Sequence, residues 1–207
     1  MRYHRIPDEA VRRLPIYLRG LLFLAEQGRQ RVSSRTLADF LGANPSQIRK
    51  DFSYFGDFGT PGVGYKTETL IKQIKKILKL DLGHKTALVG VGNLGLAVLA
   101  YPGFGIYGLD IVAAFDNNAK KIGKKIGNLT VENVSNLGTL SRKGIDLAII
   151  AVPADAAQET ADVLVKAGVK GILNFSPCYI TVPKRVKVIS IDIAMDLARL
   201  PYYMRAS

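Results

Sequence analysis

Three glycines, Gly90, Gly92 and Gly95, stand in "GVGNLG" at the spacing G-x-G-x-x-G. Glycine at such positions allows a tight turn, close approach of the backbone to a diphosphate, and close packing of a helix on a strand. Asp116 follows 26 positions after Gly90. A carboxylate there accepts hydrogen bonds from adenosine ribose hydroxyls and repels a 2′-phosphate, so the pair favours NAD(H) over NADP(H). The interval is longer than the usual ~20 residues, and "YPGFGIYGLD" supplies the extra loop. Lys120 and Lys121 weigh the other way. A purely structural turn, or a site for coenzyme A or another nucleotide, are the alternatives this motif leaves open.

A second group of residues suits a different chemistry. In "PSQIRKDFSYF" the apolar Ile48, Phe52 and Phe55 recur at i, i+4 and i+7 and predict the inward stripe of a helix. Ser46, Gln47, Lys50, Ser53 and Tyr54 then face outward, with Arg49 on the flank. Short hydrogen-bonding side chains near a helix N-terminus, backed by cations, fit the major groove of DNA. Arg49 and Tyr54 are candidates for phosphate contact, Gln47 and Lys50 for base edges. A protein-binding module with a solvated basic face is the alternative.

The elements that must position these residues are legible in outline. Pro7, Asp8 and Glu9 suit a helix start, and Pro15 predicts a kink or a restart. "IYLRGLLFLAEQG" carries this helix to Gly28. Ser33 or Ser34 caps "RTLADFLG"; Gly42 and Ala43 turn the chain; Asn44 and Pro45 open the next helix. Two short helices joined this way make a helix-turn-helix. The glycine-rich "GDFGTPGVGYKT", which includes Gly62 and Lys66, reads as a winged-helix hairpin reaching the adjacent minor groove. An amphipathic helix, "TETLIKQIKKILKL", ends near residue 80, where the domain boundary is placed. Apolar strands at 85–90, 110–116, 146–153, 168–175 and 186–192 then alternate with helical segments, the pattern of a doubly wound parallel sheet covered on both faces. One last helix, "IAMDLARLPYYMRAS", closes the chain.

Charge and composition narrow the function. The 207 residues carry a net charge of +12. Residues 1–80 hold 15 Lys/Arg against 7 Asp/Glu, a net +8, and residues 81–207 hold 14 against 10, a net +4. This asymmetry points to a polyanion as partner of the N-terminal part. One cysteine and two histidines leave no intramolecular disulfide and no plausible metal cluster. No apolar run approaches the ~20 residues that span a bilayer, and the N-terminus lacks an apolar signal core, so a reducing cytoplasm is expected. An NAD-dependent oxidoreductase needs a substrate region and an acid/base group. Residues 193–207 are too few for the first, and His84, predicted at the opposite sheet edge, and His4, in the N-terminal module, are not placed for the second. Cys178 follows a strand end and reads as an inert small residue, with a reactive thiol as the alternative. No catalytic residue is expected.

Taken together, "RLPIYLR" (13–19), "QIRKDFSYFGDFGTPGVGY" (47–65), "GVGNLGLAVLAYPGF" (90–104), "GILNFSP" (171–177) and "IDIAMDL" (191–197) resemble the Rex family of bacterial redox-sensing repressors over nearly the whole chain. The resemblance implies a winged helix-turn-helix domain (1–80), a Rossmann-like NAD(H)-binding domain (81–192) and a C-terminal helix (193–207) exchanged between the subunits of a homodimer. It implies binding to palindromic operator DNA when NADH is scarce and release when NADH rises, with NAD(H) as a regulatory ligand. The candidate coenzyme contacts are then Gly90, Val91, Gly92, Asn93, Leu94, Gly95, Tyr101, Asp116, Val152, Pro153, Asn174 and Asp192. Tyr101 of "AYPGF" matches a tyrosine beside the nicotinamide. Asp192 matches a carboxylate that pairs, from the other subunit, either with that tyrosine or with a helix-one arginine, here Arg19. The wing departs from the family pattern at Pro61, where an arginine or lysine is expected.

Overall fold

The structure, a computed structural model, describes residues 6–60 and 62–204 and divides the chain into two compact units, 1–82 and 83–207. The N-terminal unit opens with helix α1, Asp8–Glu26, followed by strand β1, Arg31–Val32, and helices α2, Ser34–Leu41, and α3, Pro45–Ser53. Strand β2, Tyr65–Lys66, and helix α4, Thr67–Ile77, complete it. The caps follow the sequence. Ser33 Oγ accepts from the Thr36 N–H at 2.9 Å, and Asn44 Oδ1 accepts from the Ser46 N–H at 2.8 Å with Pro45 next in line. Gly42, at φ 62°, ends α2 in the left-handed conformation that glycine tolerates. α1 corrects one expectation: it does not restart at Pro15 but runs through it. Pro15 lies on the exposed side, while Leu14, Tyr17 and Leu18 around it are buried and hold the helix on the core. β1 and β2 pair antiparallel, Arg31 with Lys66, and Thr60 bridges Gly64, so a short two-stranded wing forms.

The second unit is built on a seven-stranded sheet. Its strands are β3, His84–Val89; β4, Leu109–Asp116; β5, Lys125–Ile126; β6, Leu129–Asn133; β7, Ile145–Ile150; β8, Gly171–Asn174; and β9, Lys187–Ser190. Their spatial order is β5-β6-β4-β3-β7-β8-β9, parallel except for β5 against β6. Helices α5, Asn93–Ala100, and α6, Gly103–Ile106, lie on one face. Helix α7, Ala154–Lys166, and a 3₁₀ segment, Val134–Lys143, cover the other. Alternation along β3 shows the two-sided burial: Ala87 and Val89 join the α7 core, Leu88 the α5 core.

The sequence reading missed the β5–β6 hairpin, whose turn is Gly127-Asn128 with Gly127 at φ 57°. It also expected one C-terminal helix. The structure has two short ones, α8, Ile193–Ala198, and α9, Leu200–Tyr203. Pro201 has no N–H to continue the α8 ladder, and the chain restarts at Arg199.

Candidate functional site

β3 lies where the strand order reverses: β4 follows it on one side, and β7 returns on the other. Such a switch opens a crevice beyond the carboxyl ends of the strands. A cleft of about 970 Å³ lies there. Gly90, Gly92, Asn93 and Leu94 line it from the β3–α5 turn, and Asp116, Asn117, Asn118 and Lys121 after β4. Val152 and Pro153 after β7, Glu159 and Thr160 of α7, and Phe175 and Pro177 after β8 close the far wall.

The three glycines have three different reasons to be glycine. Gly90 has φ 97°, and a Cβ on it would collide with the Ala151 carbonyl just past the end of β7. A Cβ on Gly95 would strike the Gly90 carbonyl, so this glycine lets α5 close on the turn. Gly92 has φ −86° and ψ −166°, which any residue adopts, and nothing stands within 4 Å of where its Cβ would be. Neither backbone nor packing requires glycine at 92. The missing side chain leaves a hollow in the cleft floor, in front of an α5 N-terminus that no side chain caps. Uncapped N–H groups and the positive helix end suit a diphosphate.

Asp116 ends β4 at the cleft edge with 6% of its surface exposed. Its Oδ2 accepts from the Val91 N–H at 2.8 Å and from Lys121 Nζ at 3.0 Å, and its Oδ1 accepts from the Asn118 N–H at 2.8 Å. Burial pushes its pKa up, but the Asn118 amide, Lys121 and the Val91 amide outweigh it and hold the carboxyl below its ordinary value. It therefore enters the cleft ionised.

Of the sequence-predicted coenzyme residues, Gly90, Gly92, Asn93, Leu94, Asp116, Val152 and Pro153 come together as cleft lining. Val91 and Gly95 are buried beneath the turn. Asn174 is fully buried, its amide donating to the Cys178 carbonyl at 2.9 Å and accepting from the Ser176 N–H at 3.0 Å, so it shapes the turn carrying Phe175 and Pro177. Tyr101 is exposed, its ring edge-on to Phe104 at 5.4 Å, and Asp192 caps α8 through the Ala194 N–H at 2.9 Å. Neither lines the cleft. The residues the reading missed are Asn117, Asn118, Asn133 and Ser135 on the β4 and β6 loops, and Glu159 and Thr160 on α7. "FDNN" directly after the acidic strand end was the available signal.

In the N-terminal unit, α3 presents Ser46, Arg49, Lys50 and Ser53 to solvent, with Tyr54 half-buried at its end. Ile48 and Phe52 are buried as expected, while Phe55 is only half-buried. Arg49 reaches Ser34 Oγ at 2.9 Å and Ser46 Oγ at 2.8 Å, tying α3 to the start of α2. Gly62 and Lys66 are exposed on the wing; Pro61 lies outside the described residues. Arg19 is exposed on α1.

Asp51, which carries no expected role, is the node of this unit. Fully buried, it accepts from Arg13 Nε at 2.6 Å and Arg13 Nη2 at 2.9 Å, from the Tyr17 hydroxyl at 2.6 Å and from Gln47 Nε2 at 2.8 Å. Burial would raise its pKa, but Arg13, Tyr17 and Gln47 together hold it below its ordinary value. Gln47 thus spends its amide on Asp51, leaving Lys50 as the freer long side chain on this helix. An apolar residue would not tie α1 to α3 in this way; a buried carboxylate needs its donors in place.

Comparison with known proteins follows the same division. The family model described as "CoA binding domain" matches residues 83–178, and "Putative DNA-binding protein N-terminus" matches residues 5–53. The redox-sensing transcriptional repressor Rex of Chloroflexus aurantiacus is 46% identical over 96% of this chain and 94% of its own length. The chain belongs to the Rex family of redox-sensing transcriptional repressors. The Rex of Brevibacillus brevis is 44% identical over 98% of this chain and 99% of its own. Among solved Rex-family structures, RSP in complex with β-NAD⁺ and operator DNA matches with a TM-score of 0.90 at 38% identity, covering 96% of this chain and 92% of that one. RSP in complex with β-NADH matches with a TM-score of 0.86 at 37% identity over 96% and 93%. Rex-family members are transcriptional repressors and not enzymes.

Proposed function

We propose that this chain is a repressor that holds palindromic operator DNA when NADH is scarce and releases it when NADH binds. The open space at Gly92 carries the reading: it leaves room for a diphosphate at the uncapped α5 N-terminus, in a chain whose other unit is a basic helix-turn-helix. In the cleft, Gly92, Asn93 and Leu94 receive the diphosphate at the α5 N-terminus, and Asp116 receives the adenosine ribose. NADH offers a neutral ring where NAD⁺ offers a positively charged one, and this is the difference a sensor must read. Tyr101 meets the nicotinamide, and Asp192 of the other subunit exchanges its partner Arg19 for Tyr101. Moving a population from 1:99 to 99:1 takes about 10⁴-fold differential affinity, which this exchange of partners must supply.

On the DNA side, Lys50 reads base edges in the major groove, with Ser46, Gln47 and Ser53 beside it. Arg49, Tyr54, Gly62 and Lys66 hold the flanking backbone. The domains are assigned as 1–80 for DNA, 81–192 for NAD(H) and 193–207 for dimerisation. Support for the last comes from α8 and α9, where no described residue is buried and Ile193, Met195, Leu197, Leu200, Tyr202 and Tyr203 are exposed. A second copy that exchanges this segment would cover them. No described helix is long and apolar enough to cross a membrane, and a DNA-binding repressor works in the cytoplasm.

The match to a coenzyme A domain raises a second reading of the same cleft. Coenzyme A carries a phosphate on its ribose, which ionised Asp116 repels. Titration of the purified chain with NADH and with coenzyme A separates the two. Tight NADH and weak coenzyme A binding supports the repressor reading; the reverse order refutes it.

A further inference from the structure

We infer that Lys121 sets how strictly this cleft rejects a phosphorylated ribose; the inference rests on the dinucleotide reading above. A carboxylate that grips a ribose diol offers lone pairs from both oxygens. Asp116 has already committed Oδ2 to the Val91 amide and to Lys121, and Oδ1 to the Asn118 amide. The two amides are backbone groups, Val91 in the β3–α5 turn and Asn118 in the turn after β4. Lys121 is the one partner that is free to leave, on a side chain that is 36% exposed at the cleft mouth.

Two consequences follow from the pairing. An arriving diol takes the lone pair that Lys121 holds, and the ammonium moves aside. An arriving 2′-phosphate meets a neutralised carboxylate and a cation about 3.0 Å from it, not a bare negative charge. The rejection of NADPH by Asp116 is therefore weaker than a lone carboxylate would give. Lys120, adjacent in sequence, forms no ion pair with Asp116, and its backbone N–H donates to Asn118 Oδ1 at 2.9 Å.

The test titrates the full-length chain with NADH and with NADPH by coenzyme fluorescence, for the parent, Lys121→Ala, Lys120→Ala, Asp116→Ala and the Asp116→Ala/Lys121→Ala double variant. A charge-assisted hydrogen bond to phosphate corresponds to about a tenfold change in affinity. Lys121→Ala should raise the ratio of the NADPH to the NADH dissociation constant by about that factor, and Lys120→Ala should leave the ratio alone. Asp116→Ala should gain NADPH binding, and the double variant should lose the gain. Asp116 anchors Val91, so thermal unfolding by circular dichroism checks its variants, and Lys121→Ala decides the matter if they unfold. An unchanged ratio in Lys121→Ala, in a parent that binds NADH, overturns the role of Lys121 and spares the dinucleotide reading. A parent that binds neither nucleotide overturns both.

Discussion

At the scale of single residues, the glycines of the β3–α5 turn separate ligand binding from folding. Gly92→Val places its side chain in open cleft space with ordinary backbone angles. NADH affinity should fall by at least about tenfold while thermal stability stays near that of the parent. Gly95→Ala drives a methyl against the Gly90 carbonyl and should cost about 1–3 kcal/mol in urea unfolding. Equal effects of the two substitutions on stability would remove the distinction. Asp51 makes a different prediction. Asp51→Ala leaves Arg13, Tyr17 and Gln47 without their common acceptor and should destabilise the N-terminal unit by about 3 kcal/mol. Its folded pKa lies below the unfolded value, so its stabilisation is present above about pH 4 and is lost as pH falls through the folded value. Asp51→Asn should flatten this acid limb in calorimetric scans. A limb that is the same in variant and parent would show that Asp51 is not its source.

At the scale of elements, the proposed recognition role of α3 separates base contact from phosphate contact by residue. Lys50→Ala should cost about 1–3 kcal/mol and relax preference at particular operator positions. Arg49→Ala should weaken all sequences alike and reduce the salt slope by about 1. The two patterns are told apart by competition with operator variants at several salt concentrations. These side chains were legible in the sequence because a 3.6-residue period sorts a short helix into faces, and Asn44-Pro45 fixes where it starts. The parallel strands were legible as apolar runs, and the turn glycines and Asp116 as a spaced pattern. Other features depend on distant partners and left no periodic trace. Asp51 reads as one more polar helix residue until Arg13 and Tyr17, 38 and 34 positions away, are folded against it. Asn174 lies at a strand end like a ligand contact but serves its own turn. The β5–β6 hairpin is too short to show alternation, and only Gly127 marks it. α1 continues through Pro15 because burial of its neighbours outweighs a single lost hydrogen bond.

At the scale of the whole molecule, a repressor of a palindrome needs two recognition helices about one helical turn apart, ~34 Å. The exposed apolar side chains of α8 and α9 offer the means of pairing two chains. Leu197→Asp should shift sedimentation from dimer to monomer and abolish cooperative operator binding; a variant that remains dimeric would place the interface elsewhere. The central claim is that NADH, unreacted, changes how two chains hold one duplex. Fluorescence anisotropy of a labelled palindromic operator, bound by the parent and titrated with NAD⁺ and then NADH, tests it directly. The account predicts high anisotropy throughout the NAD⁺ additions and a fall to the free-DNA value as NADH is added, with NADH recovered intact. Anisotropy that does not respond to the proportion of NADH, or NADH consumed during release, would contradict it.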